Sequence, residues 1–303
     1  MKNRKISSRK ISKFKRKQLG DSDTHIQDIL QKPILTKRDK EALIAIYYHR
    51  CLTTEQLAEM FFMYDGKGNL NNQASLIARR RLRKMFDFCL VDRFFIDVGE
   101  NNGSSQAHIV LDTLGAKIVA GLLNLPLSEL QWRYEMNETR LPYLEHMIKI
   151  NNCYLCLLRM ARNHGHEMTV FHTENHVRHE FKYWNQRIVF NPDAYGQYWM
   201  GDDGFHFFLE LDNGTMTPAV FQKKHQRYTT FYASEEYSKH YENFPLVLTV
   251  TTTWERAIQL RKLIQKVDDT DVEWYFTSED LFEKNPLGAI WLGKEENDPV
   301  KFV

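Results

Sequence analysis

The chain has 303 residues, of which 43% are hydrophobic and 13% aromatic, and this composition supplies enough apolar material for two folded domains. No apolar run reaches about 18 residues and no hydrophobic stretch follows the basic N-terminus, so we expect neither a membrane span nor a secretory signal. Four irregularly spaced cysteines exclude a disulfide scaffold and favour a reducing, cytoplasmic location.

The formal net charge of +2 is unevenly distributed along the chain. Residues 1–20 contain nine lysine and arginine side chains and no acidic one, so the rest of the chain carries a net charge of −7. We interpret residues 1–24 as a disordered basic tail, because they hold almost no core-forming side chains. Such a tail is suited to following the phosphate backbone of DNA, where each contact releases counterions. A solubilising tail is the alternative.

Residues 25–125 have the pattern of a winged helix-turn-helix domain. Thr36 is placed to cap a first helix, and Thr53 or Thr54 to cap a second. A loop rich in glycine and asparagine precedes the third helix, and the Gly-, Asn- and Ser-rich stretch between the two strands is typical of a hairpin tip, the wing. The predicted elements are helices at 37–48, 52–60 and 72–88, strands at 90–98 and 107–111, and a helix at 113–123.

The predicted third helix carries a dense group of basic side chains. In helix-turn-helix proteins the last helix of the trio enters the major groove, where arginine contacts phosphates and guanine edges. At about 3.6 residues per turn, Arg79, Arg80 and Arg83 share one side, whereas Arg81 points elsewhere and is structural, and Leu76 is assigned to the core. A solvated helix face is the alternative. The residues predicted to contact DNA are Asn72, Ser75, Arg79, Arg80, Arg83, Lys84, Arg93, Asn102 and Ser104.

A linker is predicted over residues 126–140 and an α/β domain over residues 141–303. Strands that alternate with helices indicate an α/β sheet domain, here with a mixed sheet. The predicted helices are at 141–163, 218–240 and 254–267, and the predicted strands are at 168–173, 194–200, 205–212, 246–252 and 272–277.

Three carboxylates are predicted to meet beside the hairpin of this domain. The Gly-Asp-Asp-Gly sequence at 201–204 is a tight-turn signal. If the turn centres on its two aspartates, Asp193 faces Asp212, and Glu210 lies two residues away on the same face. These carboxylates would repel one another without a cation, and oxygen-only ligands favour Mg²⁺ or Mn²⁺. The pattern therefore predicts a metal site of Asp193, Glu210 and Asp212 that activates water for attack on phosphate.

Pro-Asp at 192–193 and Glu-Leu-Asp at 210–212 resemble the PD-(D/E)xK nuclease family. The resemblance implies a restriction-endonuclease-like domain with metal-dependent nuclease chemistry. Asp212 stands where that family has its lysine, so we look to Lys223 and Lys224 on the next helix and prefer Lys224, which shares a face with two tyrosines. The alternative is that the aspartates only cap loops. The residues predicted to be catalytic are Asp193, Glu210, Asp212 and Lys224.

Other chemistry has weaker support in the sequence. Tyr228, Tyr232 and Tyr237 are alternative nucleophiles for covalent attack on phosphate, although packing explains them better. Cys153 and Cys156 lie in an apolar helix without a second such pair, which favours core packing over zinc or redox chemistry. No phosphate loop of the GxxxxGK(S/T) kind occurs, so NTP hydrolysis is not expected.

Short segments from both halves of the chain carry a further resemblance. They are residues 35–39, 52–57, 79–82, 90–93, 191–194, 208–215 and 286–291. Together they resemble the replication-relaxation family of plasmid, phage and conjugative-element proteins, over residues 34–292. The resemblance implies a role in replication or transfer of mobile DNA, but it does not specify a reaction.

Three functions stay open at this point. The first is a DNA-processing protein that binds an origin and nicks or relaxes it, as a metal-dependent endonuclease or relaxase in plasmid replication or conjugation. The second is a non-catalytic replication initiator or accessory factor, and the third is a winged-helix transcriptional regulator. The expected partners are double-stranded DNA, a second copy of the chain, and replication or transfer proteins, with no membrane among them.

Overall fold

The computed structural model describes residues 6–7, 35–65, 67–96, 106–138, 141–296 and 298–301. The chain divides into two compact units, Met1–Asn151 and Asn152–Val303. The boundary falls inside a long helix, ten residues beyond the predicted start of the second domain at 141, because Leu144 and Met147 pack against Cys51 and Val110 of the first unit. Within the described residues, no helix is both long enough and apolar enough to cross a membrane.

The first unit combines helices with one antiparallel sheet, in the order predicted: three helices, a pair of strands and a further helix. The helices are α1 (Lys37–His49), α2 (Thr54–Phe61), α3 (Ala74–Asp87), α4 (Thr113–Leu122) and α5 (Leu141–His164). The strands are β1 (Ile6–Ser7), β2 (Leu52–Thr53), β3 (Val91–Ile96) and β4 (Ala107–Leu111), in the sheet order β1-β3-β4-β2. The pairing of β1 with β3 was not predicted, and the other residues of the predicted basic tail lie outside the described residues.

The first two helices begin where their capping residues predict. The Thr36 side chain accepts a hydrogen bond from the Asp39 backbone, and the Asp39 carboxylate accepts one in return from the Thr36 backbone. Thr53 and Gln56 form the same reciprocal pair at the start of α2. Each cap satisfies backbone donors that the first turn of a helix leaves without a partner.

Helix α3 is held by its small residues and by one arginine. Ala74 and Ala78 pack against α2, and Arg81 forms an ion pair with Asp39 at the start of α1, in agreement with a structural role for Arg81. The assignment of Leu76 to the core was wrong, because this side chain is 44% exposed. The small alanines, rather than Leu76, mark the buried side of the helix.

The second unit is built on a six-stranded mixed sheet with the order β12-β11-β10-β9-β8-β5. Strands β9, β10 and β11 are parallel, whereas the other neighbours are antiparallel. The strands are β5 (Glu167–Thr173), β6 (His179–Tyr183), β7 (Gln186–Phe190), β8 (Ala194–Met200), β9 (Asp203–Asp212), β10 (Leu246–Thr251), β11 (Trp274–Ser278) and β12 (Leu292–Gly293). The helices are α6 (Pro218–Ala233), α7 (Trp254–Val267) and α8 (Glu279–Lys284).

Several elements of the second unit were not predicted. Strands β6 and β7 form a separate hairpin, and α8 and β12 are additional short elements. The helix predicted to reach residue 240 ends at Ala233, because Glu235 adopts a left-handed backbone conformation with φ of 55°. The mixed α and β composition of the fold is nevertheless as predicted.

The register of the β8–β9 hairpin differs from the prediction by one turn residue. Ala194 pairs with Leu209 and Met200 with Asp203, so the turn consists of Gly201 and Asp202. Gly201 takes a φ of 71°, which glycine adopts without steric cost and which begins the turn one residue earlier than expected. The predicted placement of Asp193 opposite Asp212 was therefore wrong. The observed register, continued by one residue, places Asp193 across from Glu210.

Aromatic side chains form the core between the sheet and its helices. Phe208 of β9, Tyr228 and Phe231 of α6, and Trp274 of β11 belong to one buried cluster. Because side chains alternate along a strand, Glu210 lies on the same face of β9 as Phe208. The core therefore places this carboxylate in front of α6.

Candidate functional site

Asp193, Glu210 and Lys224 converge in the second unit, and we call them the acid-lysine cluster. The Lys224 Nζ atom lies 3.3 Å from Asp193 Oδ1 and forms an ion pair with Glu210 Oε2. The Leu211 backbone N–H donates a hydrogen bond of 2.8 Å to Asp193 Oδ2, which ties this carboxylate to β9. Two acids and one base from separate parts of the chain thus meet at one point.

Local structure explains how α6 delivers the base. Thr217 caps the helix and Pro218 occupies its first turn, a position where a missing backbone N–H costs nothing. Lys224 and Tyr228 are one helical turn apart and face the same side. Of the two lysines considered from the sequence, Lys224 faces the carboxylates and Lys223 is exposed.

Tyr228 supports the cluster from below. Its hydroxyl donates a hydrogen bond to Glu210 Oε1, and only 1% of the side chain is exposed. Burial, followed by the charge of Glu210, raises the pKa of Tyr228, so it remains a protonated donor. This contradicts the alternative of Tyr228 as a nucleophile. Sequence reasoning placed Tyr228 on the correct helix face but missed its role as a partner of Glu210.

The cluster has an uneven exposure to solvent. Glu210 is 1% exposed, whereas the Asp193 and Lys224 side chains retain 15% and 20% exposure. Burial and then the negative charge of Asp193 raise the pKa of Glu210 to about 8, and Lys224 counteracts this effect. Burial lowers the pKa of Lys224, but the two carboxylates outweigh that effect and raise it overall. A molecule in solution would meet Asp193 and Lys224 first.

Asp212 has different partners from the other two acids. Its carboxylate accepts a hydrogen bond of 2.5 Å from Arg256 Nε and one of 3.2 Å from the Gly214 backbone. Arg256 also donates to the Met216 carbonyl at 2.7 Å, so Asp212 and Arg256 together hold the loop between β9 and α6. This residue therefore fits the loop-holding alternative better than a place in the acid-lysine cluster.

The donor set of the cluster suits a small divalent cation. Among the described residues there is no group of three or more His, Cys, Asp or Glu side chains able to hold a metal ion. Two carboxylates do converge, however, and Mg²⁺ is commonly held by one or two carboxylates together with water and substrate oxygens. The raised pKa of Glu210 shows that this pocket has an excess of negative character that a cation would relieve.

Helix α3 presents a second candidate site in the first unit. Its outward residues Ser75, Arg79, Arg80, Arg83 and Lys84 form what we call the basic face. Arg80 and Lys84 are exposed, as is Asn72 before the helix. Arg79 is 66% exposed and forms an ion pair of 2.8 Å with Glu55, which also accepts a hydrogen bond from Ser75. Arg83 pairs with Asp87 at 3.1 Å, so acidic neighbours hold two of the predicted contacts in position.

A cleft of about 390 Å³ adjoins the basic face and is lined by residues of α2, α3, β3 and β4. Arg79, Arg83 and Arg93 contribute to its wall. The Arg93 guanidinium carbon lies 4.5 Å from the centre of the Phe86 ring, so this arginine is oriented by an aromatic side chain. The predicted wing contacts Asn102 and Ser104 lie outside the described residues.

The remaining candidates from the sequence are accounted for by packing. Cys153 and Cys156 are buried within α5, in agreement with the preference for core packing over metal binding. Tyr232 and Tyr237 are partly buried against the aromatic core of the second unit.

These features define a protein of mixed α and β structure with a basic helical face in one unit and an acid-lysine cluster in the other. The replication-relaxation family model matches residues 43–247, and the chain belongs to this family. The matched region includes both the basic face and the acid-lysine cluster. Neither the curated proteins nor the solved structures include a match to the chain.

Proposed function

We propose that this protein binds origin DNA of a plasmid or mobile element through an N-terminal winged helix and cleaves a phosphodiester bond with a restriction-endonuclease-like second domain. The observation that carries the proposal is the placement of Lys224 between Asp193 and Glu210. An acid after proline, an acid on the following strand and a lysine are the groups of the PD-(D/E)xK pattern, here with the lysine supplied by a helix. Membership of the replication-relaxation family supports replication as the setting.

DNA binding is assigned to the basic face of α3. Arg80 and Lys84 are exposed, and Arg79 remains largely exposed although it is paired with Glu55. The adjoining strands β3 and β4 are antiparallel, as the arms of a wing would be. Phosphate contacts by such residues give affinity, and contacts to base edges give specificity.

Cleavage is assigned to the acid-lysine cluster. Asp193 and Glu210 would hold Mg²⁺ or Mn²⁺ through their carboxylate oxygens, and the bound ion supplies Lewis-acid stabilisation and an activated water. Lys224 keeps its proton because both carboxylates raise its pKa, so its ammonium group is suited to donating to an anionic phosphate oxygen. Tyr228 orients Glu210 by its hydrogen bond.

A supercoiled-plasmid assay with the cognate origin and Mg²⁺ or Mn²⁺ tests this proposal. The wild-type protein is expected to produce nicked or relaxed plasmid, and the variant with both Asp193→Ala and Glu210→Ala is expected to produce none. Lys224→Met should lose activity, whereas the matched control Lys223→Met, at the neighbouring exposed lysine, should keep it. If the wild-type protein leaves cognate plasmid intact with either metal, the cleavage proposal is wrong.

One observation favours a second candidate, a non-catalytic replication initiator. Glu210 is almost fully buried, and both of its oxygens are engaged, by Lys224 and by Tyr228. In this alternative the acid-lysine cluster only stabilises the second unit. Intact origin binding with no nicking, together with loss of stability in the Lys224→Met variant, would support the initiator.

A further inference from the structure

The hairpin formed by β6 and β7 carries an exposed tryptophan at its tip. Trp184 is 84% exposed, more than any other large hydrophobic side chain in the part of the chain that the structure describes. Its ring meets that of Tyr183 edge to face at a centroid distance of 6.0 Å. A large apolar surface held in water contributes nothing to the core, so folding does not explain it.

The backbone at the tip is also unfavourable for the residues it contains. Tyr183 pairs with Gln186, which leaves Trp184 and Asn185 as a two-residue turn. Both have a positive φ, of 49° and 59°, as in the turn that favours the sequence Asn-Gly. A bulky aromatic residue in this conformation is an outlier, and such outliers are concentrated at functional positions.

The sides of the hairpin place positive charge next to this tryptophan. Lys182 and Arg187 are exposed and lie directly opposite each other, an arrangement that is unfavourable for like charges. Glu180 forms ion pairs with Arg187 at 2.5 Å and with Arg178 at 2.9 Å, so it orients two cations without neutralising the group. Three cations and one anion give this surface a positive charge.

The opposite side of the hairpin anchors it to the second unit. Phe181 and Phe190 are buried and pack with Phe231 of α6. The hairpin therefore presents its tip from a fixed base.

We propose that the β6–β7 hairpin binds single-stranded DNA, with Trp184 stacked on an unpaired base and with Lys182 and Arg187 on the flanking phosphates. Aromatic stacking and nearby cations are the two contacts that bind single strands without regard to sequence. As the structure shows neither duplex complementarity nor a groove at this tip, an unpaired base is the occupant that fits a single protruding ring.

The position of the hairpin in the chain connects it with the acid-lysine cluster, and this part of the inference rests on the proposed function. Asp193 follows Trp184 by nine residues. Nine residues span at most about 30 Å, which is less than roughly one turn of duplex DNA at 34 Å. A strand held by Trp184 would lie within reach of the carboxylates that we propose cut it.

Fluorescence anisotropy with the full-length protein tests the inference. The probes are a labelled oligo-dT of about 20 nucleotides and a labelled duplex of equal length, both in EDTA so that no cleavage occurs. Trp184→Ala is expected to weaken oligo-dT binding by about tenfold and to leave duplex binding unchanged, while Trp184→Phe keeps most of the affinity. Trp199→Phe, at a less exposed tryptophan of the same unit, is the matched control. Lys182→Gln with Arg187→Gln should reduce the salt dependence of oligo-dT binding.

A glycine variant separates the binding role from a structural one. Trp184→Gly relieves the positive φ, so its Tm should rise while its oligo-dT affinity falls. Equal oligo-dT affinity for the wild-type protein and Trp184→Ala would overturn the inference. So would binding to phosphatidylserine-containing vesicles that needs Trp184 when oligo-dT binding does not, because this result would assign the hairpin to a membrane surface.

The outcomes also distinguish this inference from the proposed function. If cognate plasmid is not nicked but oligo-dT binding requires Trp184, the cleavage proposal fails and the hairpin keeps its assignment. If nicking occurs and Trp184→Ala binds oligo-dT as tightly as the wild-type protein, only the hairpin assignment fails.

Discussion

Replacing Lys224 with methionine should make the stability of the protein depend on pH in a defined direction. Lys224 is the cation nearest to both Asp193 and the buried Glu210. Near neutral pH, Glu210 already holds a proton because its pKa is raised to about 8, so only the partly exposed contact with Asp193 is lost. That contact contributes at most about 1 kcal/mol to the free energy of unfolding.

Above the pKa of Glu210 the cost should grow. Two carboxylates then lack their counter-charge, and removing one partner of a buried ion pair costs about 3–5 kcal/mol. The variant avoids part of this cost by keeping Glu210 protonated, since loss of Lys224 raises the pKa of Glu210 further. The folded variant thus binds more protons than the unfolded chain, and its stability falls as pH rises, by at most about 1.4 kcal/mol per pH unit.

Urea unfolding of the wild-type protein and Lys224→Met at about pH 7 and about pH 9 measures this effect, with near-ultraviolet circular dichroism as the signal. The difference in the free energy of unfolding should be clearly larger at the higher pH. Lys223→Met should show no such change, and adding Glu210→Gln to Lys224→Met should remove it. The same difference at both pH values would refute the argument that Lys224 compensates Glu210.

Three further predictions concern the two candidate sites. Arg79→Ala with Arg83→Ala should weaken duplex binding and lower the salt slope by about two, whereas Glu55→Gln should strengthen binding because it releases Arg79; an unchanged slope in anisotropy titrations would mean that the DNA face lies elsewhere. Arg81→Ala should destabilise the first unit by about 1–3 kcal/mol because it leaves a buried carboxylate at the start of α1 without its cation, and Arg80→Ala should not; equal urea midpoints for these two variants would contradict this. Mn²⁺ affinity in isothermal titration should increase as pH rises toward about 8, since the buried glutamate of the acid-lysine cluster must lose its proton to bind; affinity that is constant with pH would exclude this glutamate as a ligand.

Local signals in the sequence predicted most helices and strands. Capping by Thr36 and Thr53 depends on residues three positions apart, and the start of α6 at Pro218 depends on one residue, so no knowledge of distant contacts is needed. The limits of α7 and β8 matched for the same reason, because hydrophobic periodicity is a property of the segment itself.

Features that depend on turn conformation or on distant contacts were not predicted. The β6–β7 hairpin was missed because Trp184 and Asn185 are not the residues that its turn favours. The pairing error at Asp193 came from one turn residue, which changes the partner of every position in the strand. The bond from Tyr228 to Glu210 joins residues on separate elements, so only packing could reveal it.

The carboxylate of Asp39 has a consequence for how the basic face can change over time. It completes the cap of α1 and also pairs with Arg81, in the middle of the arginine run of α3. One carboxylate therefore sets the rotation of α3 about its own axis, independently of the outward side chains. Substitutions at Arg79, Arg80 and Arg83 can then alter DNA preference while the helix keeps its orientation, so this family member can acquire new target sites without first rebuilding its scaffold.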